Sequence, residues 1–220
     1  GGRHAMGGQQ FVPGGLLLDM SYFNKVLNFD KANGLIEVQS GIEWKELIEY
    51  TSETEVNGVQ WAIRQKQTGV DKVSIGGSIS ANIHGRGLNF APFGSDVESF
   101  TLLAANGDLL NCSRLENKEL FSLVIGGYGL FGIIITVVLR LVRRNKVKRI
   151  VEIIKVKDLV QKFDNSIQAG AVYGDCQYSI DLSSPVGEHK GVFSCYYPVS
   201  NELLILKNQG ILSKEKWSEL

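Results

Sequence analysis

Two pairs of apolar-rich runs are each joined across an Asn-Gly pair. Leu27-Asn-Phe-Asp30 and Leu35-Ile-Glu-Val-Gln39 flank Asn33-Gly34, and Leu102-Leu-Ala-Ala105 and Asp108-Leu-Leu-Asn111 flank Asn106-Gly107. An Asn-Gly pair between two such runs predicts a β-hairpin in each case. Ser40-Gly-Ile-Glu43 has capping-box spacing and predicts a helix from Ile42 to Tyr50. Ser113-Arg-Leu-Glu116 repeats that spacing. It predicts a helix carrying Leu115, Leu120, Leu123 and Val124 and stopping at Gly126-Gly127. Leu16 to Met20 reads as a short strand, and Phe131 to Leu141 as a buried one. Farther on, a helix is expected over Asp158 to Gln168, with strands over Tyr173 to Asp181 and Gly191 to Val199. Hairpins mixed with single helices predict an α+β fold.

Composition narrows the function. Lys and Arg number 23 and Asp and Glu also 23, so no global field favours nucleic acid or an anionic membrane. Three cysteines at scattered spacings match neither a disulfide framework nor a zinc site. The longest apolar run, Leu130 to Val142, contains Gly132 and Arg140 and reads as a strand rather than a membrane span. The expected partner is a small-molecule substrate and the expected location the cytoplasm. The chain opens inside a glycine loop with no strand before it, and stops within an apparent helix. It reads as a fragment whose first domain is truncated at its N-terminus. The basic stretch Arg140, Arg143, Arg144, Lys146, Lys148, Arg149 reads as a solvated connector. It sets a boundary between a first domain over 1–145 and the start of a second α+β domain over 146–220.

The chemistry lies in the glycines. Ser74-Ile-Gly-Gly-Ser-Ile-Ser-Ala-Asn-Ile-His-Gly85 combines adjacent glycines, hydroxyls and a His-Gly pair. Adjacent glycines let a flat ligand approach the backbone, and nearby amides and hydroxyls suit a pyrophosphate. Gly1-Gly-Arg-His-Ala-Met-Gly-Gly8 and Gly126-Gly-Tyr-Gly-Leu-Phe-Gly132 are further glycine stretches. Three in one domain suggest a cofactor with a long phosphate-bearing tail. Gly127 to Gly132 fits G-x-G-x-x-G, but a helix precedes it and a strand follows, the reverse of the dinucleotide-binding order. GxxxxGK[ST] is absent. His4 is a histidine able, when neutral, to bond an electrophilic cofactor carbon. Asp71 and Asp96 flank the central loop and are candidates for a general base, or equally for turn and cap roles. Cys112 is expected to be a quiet thiol.

Together these loops resemble the FAD-binding (PCMH-type) domain of the vanillyl-alcohol oxidase / p-cresol methylhydroxylase flavoproteins. His4-Ala-Met-Gly-Gly-Gln-Gln-Phe-Val-Pro-Gly-Gly-Leu-Leu-Leu-Asp-Met20 is similar to the Gly-His-Ser loop of cytokinin dehydrogenases, with its glutamine and Pro-Gly-Gly. The His84-Gly85 pair is closest to aldonolactone and alditol oxidases. Cys112 to Phe121 and Gly126 to Ile134 look like the same family's following helix and final strand.

The resemblance implies an FAD-dependent oxidoreductase. It would take a hydride from a C–OH carbon of a polyol, sugar or lactone-like substrate, with the cofactor supplying the chemistry. A C=C reductase of the same superfamily, or a non-catalytic fragment unable to hold FAD, are the alternatives. By the same resemblance Gly2, Arg3, His4, Ala5 and Met6 would wrap the pyrophosphate, with Gln9 at the family's glutamine. Ser74, Gly76, Gly77, Ser80, His84 and Gly85 would line flavin and phosphates, and Ile134 would touch the adenine side through its backbone. His4 falls where many members bond the flavin 8α-methyl. Gly69 stands where cytokinin dehydrogenases carry their aspartate base, so the resemblance assigns no catalytic residue.

Overall fold

The computed structural model describes residues 4–5, 7–8, 10–56, 58–178 and 189–204. Its centre is an antiparallel sheet of five strands. These are β1 (Val26–Asp30), β2 (Leu35–Gln39), β5 (Val97–Leu103), β6 (Leu109–Ser113) and β7 (Ile133–Arg140), in the order β1-β2-β7-β5-β6. Both expected hairpins are present, β1–β2 through Asn33-Gly34 and β5–β6 through Asn106-Gly107. In β2 the alternation is read directly as burial: Ile36 and Val38 face the core, while Leu35, Glu37 and Gln39 are only half covered.

Strand β7 lies between β2 and β5 and is apolar along nearly its whole length. Its register against β5 shifts between Thr101 and Leu102, because Thr101 faces Thr136 whereas Leu102 faces Ile134. Ile135 is thus an extra residue, a bulge of the kind that re-aims side chains. It brings Ile134 and Val137 into one core although they are three apart. It also leaves the Ile135 carbonyl accepting the Ser40 N–H at 2.9 Å.

Helix α1 (Trp44–Glu53) starts later than its sequence signal. Ser40 is held by Ile135, and Glu43 still bridges to Ser74. The chain therefore turns at Ser40 and Gly41 and reaches Glu43, which becomes the N-cap, its N–H donating to Glu46 Oε2 at 2.9 Å. The second expected box is likewise a turn. Ser113 Oγ accepts the N–H groups of Leu115 and Glu116, the helix α3 (Lys118–Val124) begins after Asn117, and Leu115 is 97% exposed. Residues 16–20 form no strand. They run exposed along the surface to a turn in which the Phe23 N–H donates to the Met20 carbonyl.

Strands β3 (Glu55–Val56) and β4 (Val59–Ala62) pair with β8 (Val142–Arg143) in a small sheet. A third sheet orders β10 (Tyr173–Tyr178), β11 (Lys190–Pro198) and β9 (Val147–Lys155). Helix α4 (Leu159–Gln168) covers one of its faces, with Phe163 edge-on to Phe193 at 4.8 Å between ring centroids. The strand signals at 173–181 and 191–199 match β10 and β11 within the described residues, while 179–188 lie outside them.

The basic residues are exposed or half-buried, and several are anchored by polar contacts. Arg140 pairs with Glu98, Arg144 donates to Gln60 Oε1, Lys146 reaches the carbonyls of Asn201 and Leu203, and Arg149 donates to Ser194 Oγ. No helix of the described residues is long and apolar enough to cross a membrane.

Candidate functional site

The central and third glycine segments meet at a short helix, α2 (Ile75–Ser80). Its inner face, Ile75, Ser78 and Ile79, is fully buried. Trp44 lies beneath it, also fully buried. The indole Nε1–H donates to Ser78 Oγ at 2.9 Å, and the ring meets Phe93 edge-on at 5.0 Å.

The first turn of α2 is already satisfied. The N–H groups of Ile75 and Gly76 donate to the carbonyls of Ile42 and Ser40, and that of Gly77 to Ser74 Oγ at 3.3 Å. This corrects the expectation of available amides here. The central loop can offer a ligand its surface and hydroxyls, but not this helix N-terminus.

The two adjacent glycines have different reasons. A Cβ on Gly76 would stand 2.9 Å from Ser40 Cβ and 3.1 Å from its carbonyl, so glycine is needed for close approach to β2's end. A Cβ on Gly77 would meet only its own turn, Ser74 Oγ at 3.1 Å and Val73 beyond. Gly77 is exposed, and so are Ala81 and His84 farther along the same side. Together they form an uncovered strip with nearly no side chain at one end and an imidazole at the other.

The His84 Nδ1 lies 3.2 Å from the Gly85 carbonyl. A carbonyl only accepts, so this contact places the proton on Nδ1 and leaves Nε2 as an acceptor. Gly85 is clamped from behind. Gln65, 6% exposed, accepts the Gly85 N–H on Oε1 and donates from Nε2 to the Ala91 carbonyl at 2.6 Å. A Cβ on Gly85 would come within 2.8 Å of the Lys66 carbonyl.

The third glycine segment closes the other end of α2. Gly126 N–H donates to the Ile79 carbonyl and Tyr128 N–H to the Ser80 carbonyl. Gly41, next to Ser40, is packed by the backbone of Met20 and Phe23. Of the residues expected on the first segment, His4 and Ala5 are exposed. Gly2, Arg3, Met6 and Gln9 lie outside the described residues. Ile134 is buried in β7 opposite Leu102, and α2 packs against that strand.

Asp71 and Asp96 differ sharply. Asp71 is exposed and ion-paired to Lys66 at 2.5 Å, and its carbonyl accepts the Lys45 N–H, which is a turn role. Asp96 is 3% exposed and lies 3.2 Å from Arg64 Nη1, with no hydrogen bond of good geometry to either oxygen. Burial pushes its carboxyl above the usual carboxylate value of 3.8, against the pull of Arg64.

A carboxyl with a raised folded-state pKa binds its proton more tightly in the folded than in the unfolded chain. Its favourable share is complete below the unfolded value and is lost as pH rises through the folded one. Asp96→Asn lacks this dependence. The variant's thermal midpoint should therefore gain on wild type as pH rises from about 4 towards neutrality. A gap that narrows instead contradicts the raised value. Cys112 is buried and its thiol is pushed up by burial, with Glu116 adding to the effect, so it is unreactive at neutral pH.

A short helix with one face uncovered and the third glycine segment bonded to its end leaves room for a flat cofactor along its backbone. Gly77 leaves the space that a side chain would fill, Ser74 and Ser80 border it, and the residues fit a flavin nucleotide. The chain matches the FAD binding domain family over residues 1–113 and belongs to that family. It is 33% identical over 135 residues to cytokinin dehydrogenase 2 of Arabidopsis thaliana, covering 61% of this chain and 26% of that one. It is 30% identical over 126 residues to a putative D-arabinono-1,4-lactone oxidase of Neurospora crassa, covering 57% and 22%. With L-gulonolactone oxidase of Bos taurus the identity is 26% over 154 residues, covering 70% and 34%. All are PCMH-type FAD flavoproteins, and FAD is the cofactor of this domain. The chain spans between 22% and 34% of the length of these relatives.

Sequence reading found the glycines but not what supports them. Trp44, Ser40 and Gln65 hold α2 and the His84-Gly85 turn from behind. Trp44 and Gln65 carry no local motif, and Ser40 was read as a helix cap.

Proposed function

We propose that the protein is an FAD-dependent oxidoreductase that takes a hydride from a C–OH carbon of a polyol, sugar or lactone-like substrate. The observation that carries this reading is the uncovered Gly77 and Ala81 on α2 and its C-cap, with exposed His84 just beyond, on a helix whose other face is fully buried. Bound FAD supplies the hydride acceptor. The chain's own residues bind and orient: Ser74, Gly77 and Ser80 along the cofactor, with Gly76 holding the helix against Ser40 behind them and His84 and Gly85 at the reactive end. Ile134 stands behind α2, and the segment from Gly2 to Met6, with Gln9, lies at the pyrophosphate. Residues 1–145 make the FAD-binding domain, and 146–220 begin a substrate domain whose sheet is β10-β11-β9. The names of the lactone oxidases similar to this chain favour a hydroxylated substrate.

The purified full-length protein should absorb near ~450 nm, release FAD by mass and bleach anaerobically with a polyol or aldonolactone. NAD or FMN in place of FAD overturns the cofactor. Bleaching only by NADPH, with reoxidation by an enone, overturns the substrate class. His4 is proposed as the covalent attachment point. Acid-denatured holoprotein should give a yellow pellet in wild type and a colourless one in His4→Ala, since the imidazole is the nucleophile. A colourless wild-type pellet removes the bond and leaves FAD in place.

A further inference from the structure

The face of the third sheet opposite α4 carries a polar cluster that joins the His84-Gly85 turn. Register places Tyr173, Tyr196 and Arg149 side by side in one row across β10, β11 and β9, and Asp175, Ser194 and Val151 in the next. The chain following Gly85 extends this sheet. Gly87 bridges to Tyr173, Gly174 N–H donates to the Arg86 carbonyl, and Leu88 N–H to that of Val172. Arg86, two residues from His84, thereby reaches over the sheet. Its Nη1 lies 3.2 Å from Asp175 Oδ1 and donates to Tyr196 Oη at 3.3 Å.

The charges in this cluster do not cancel. Arg86 is matched by Asp175, and Arg64 beneath is matched by Asp96. Arg149 has no carboxylate partner among the described residues. It donates to the buried Ser194 hydroxyl at 2.9 Å and lies over the Tyr196 ring at 5.9 Å. Stacking on the ring and a single hydrogen bond orient the guanidinium while leaving other N–H donors available. Beyond it the same face is apolar and exposed at Val151, Val192 and Ile153.

We infer that Arg149 binds a carboxylate of the substrate, so that the substrate is a hydroxy acid whose carbinol end points along Arg86 to the His84 turn. This rests on the reading that His84 and Gly85 lie at the flavin. One unmatched positive charge suits a carboxylate. A phosphate ester carries a charge of about −1.5 to −2 and would set surplus negative charge beside Asp175.

The test is the thermal midpoint of the full-length protein, read by tryptophan fluorescence with D-gluconate, D-glucose 6-phosphate or uncharged D-glucitol. At about tenfold over half-saturation, gluconate should raise the midpoint by roughly 3 °C over equimolar glucitol. Arg149→Gln should abolish that difference, and Arg149→Lys, which keeps the charge but not the fork, should retain part of it. Arg149 is exposed, so both variants should fold with the wild-type midpoint in glucitol. A shift equal for gluconate and glucitol, one larger for the phosphate ester, or one that survives in Arg149→Gln overturns the assignment. Flavin content of the same preparations is read from absorbance. A carboxylate-specific shift in protein that takes up no FAD keeps Arg149 as the carboxylate site and overturns the placing of the carbinol end at a flavin, and a yellow protein without the shift overturns Arg149 and leaves the flavin reading standing.

Discussion

Gly77→Val yields a folded protein that holds no FAD, whereas Gly76→Val fails to fold. The two glycines are adjacent in one short helix, and only their surroundings separate them. At Gly76 a side chain has nowhere to go, because Ser40 is 2.9 Å from the new Cβ and its carbonyl is bonded to the Gly76 N–H. Overpacking at such a contact costs about 1–3 kcal/mol, with the loss of the β2–α2 junction in addition. At Gly77 the new Cβ crowds only Ser74 Oγ, a capping contact worth about 1 kcal/mol. Valine pays little as a helix residue compared with glycine, so the fold survives. The valine instead fills the strip proposed to hold the cofactor. Circular dichroism and visible absorption of both variants read the two outcomes separately. Gly77→Val with a normal complement of FAD would show that the cofactor does not run along this face.

Trp44→Ala should be the most destabilising single change near the site, by about 3–5 kcal/mol, and should also release FAD. Trp44 is fully buried, fills the space between α2 and Phe93, and is the hydrogen-bond donor to a Ser78 hydroxyl that no solvent reaches. Trp44→Phe divides the effect. It keeps most of the volume and leaves the Ser78 oxygen without its partner, which costs about 1–3 kcal/mol. Denaturant unfolding gives both values, and the dissociation of FAD from each variant shows how far α2 depends on its support. If Trp44→Phe unfolds like wild type, the indole N–H is unimportant and packing alone positions the helix. If Trp44→Ala retains FAD with unchanged affinity, α2 is not the platform for the cofactor.

The legible parts of this chain were those specified within a few residues. The two Asn-Gly hairpins formed as read because alternation and turn chemistry act within one strand pair. The apolar run after Gly132 formed a strand because a central strand is covered on both sides. The errors also have a local cause. Ser40-Gly-Ile-Glu43 and Ser113-Arg-Leu-Glu116 have the spacing of a helix start. In the first, hydrogen bonds from Ile75 and to Ile135 hold residues 40–42 in a turn outside the helix, and the helix waits until Trp44. In the second, Ser113 caps a turn instead of a helix. Leu16 to Met20 has strand composition, yet no strand of the described residues pairs with it.

By itself the sequence determined the α+β class, the three glycine segments and, through its resemblance to known flavoproteins, the FAD-binding family. These rest on backbone conformations and turn chemistry that each short segment carries with it. Only the tertiary structure decided which glycine opens to a ligand and which is packed. It also decided that the first amides of α2 are already bonded, and that Asp96 is buried while Asp71 is not. Each of these depends on groups brought together from distant parts of the chain: Ser40 under Gly76, Trp44 under Ser78, Gln65 behind Gly85, Arg86 over Asp175. Side-chain environment is set by what packs against a residue, and no spacing along the chain encodes the partner.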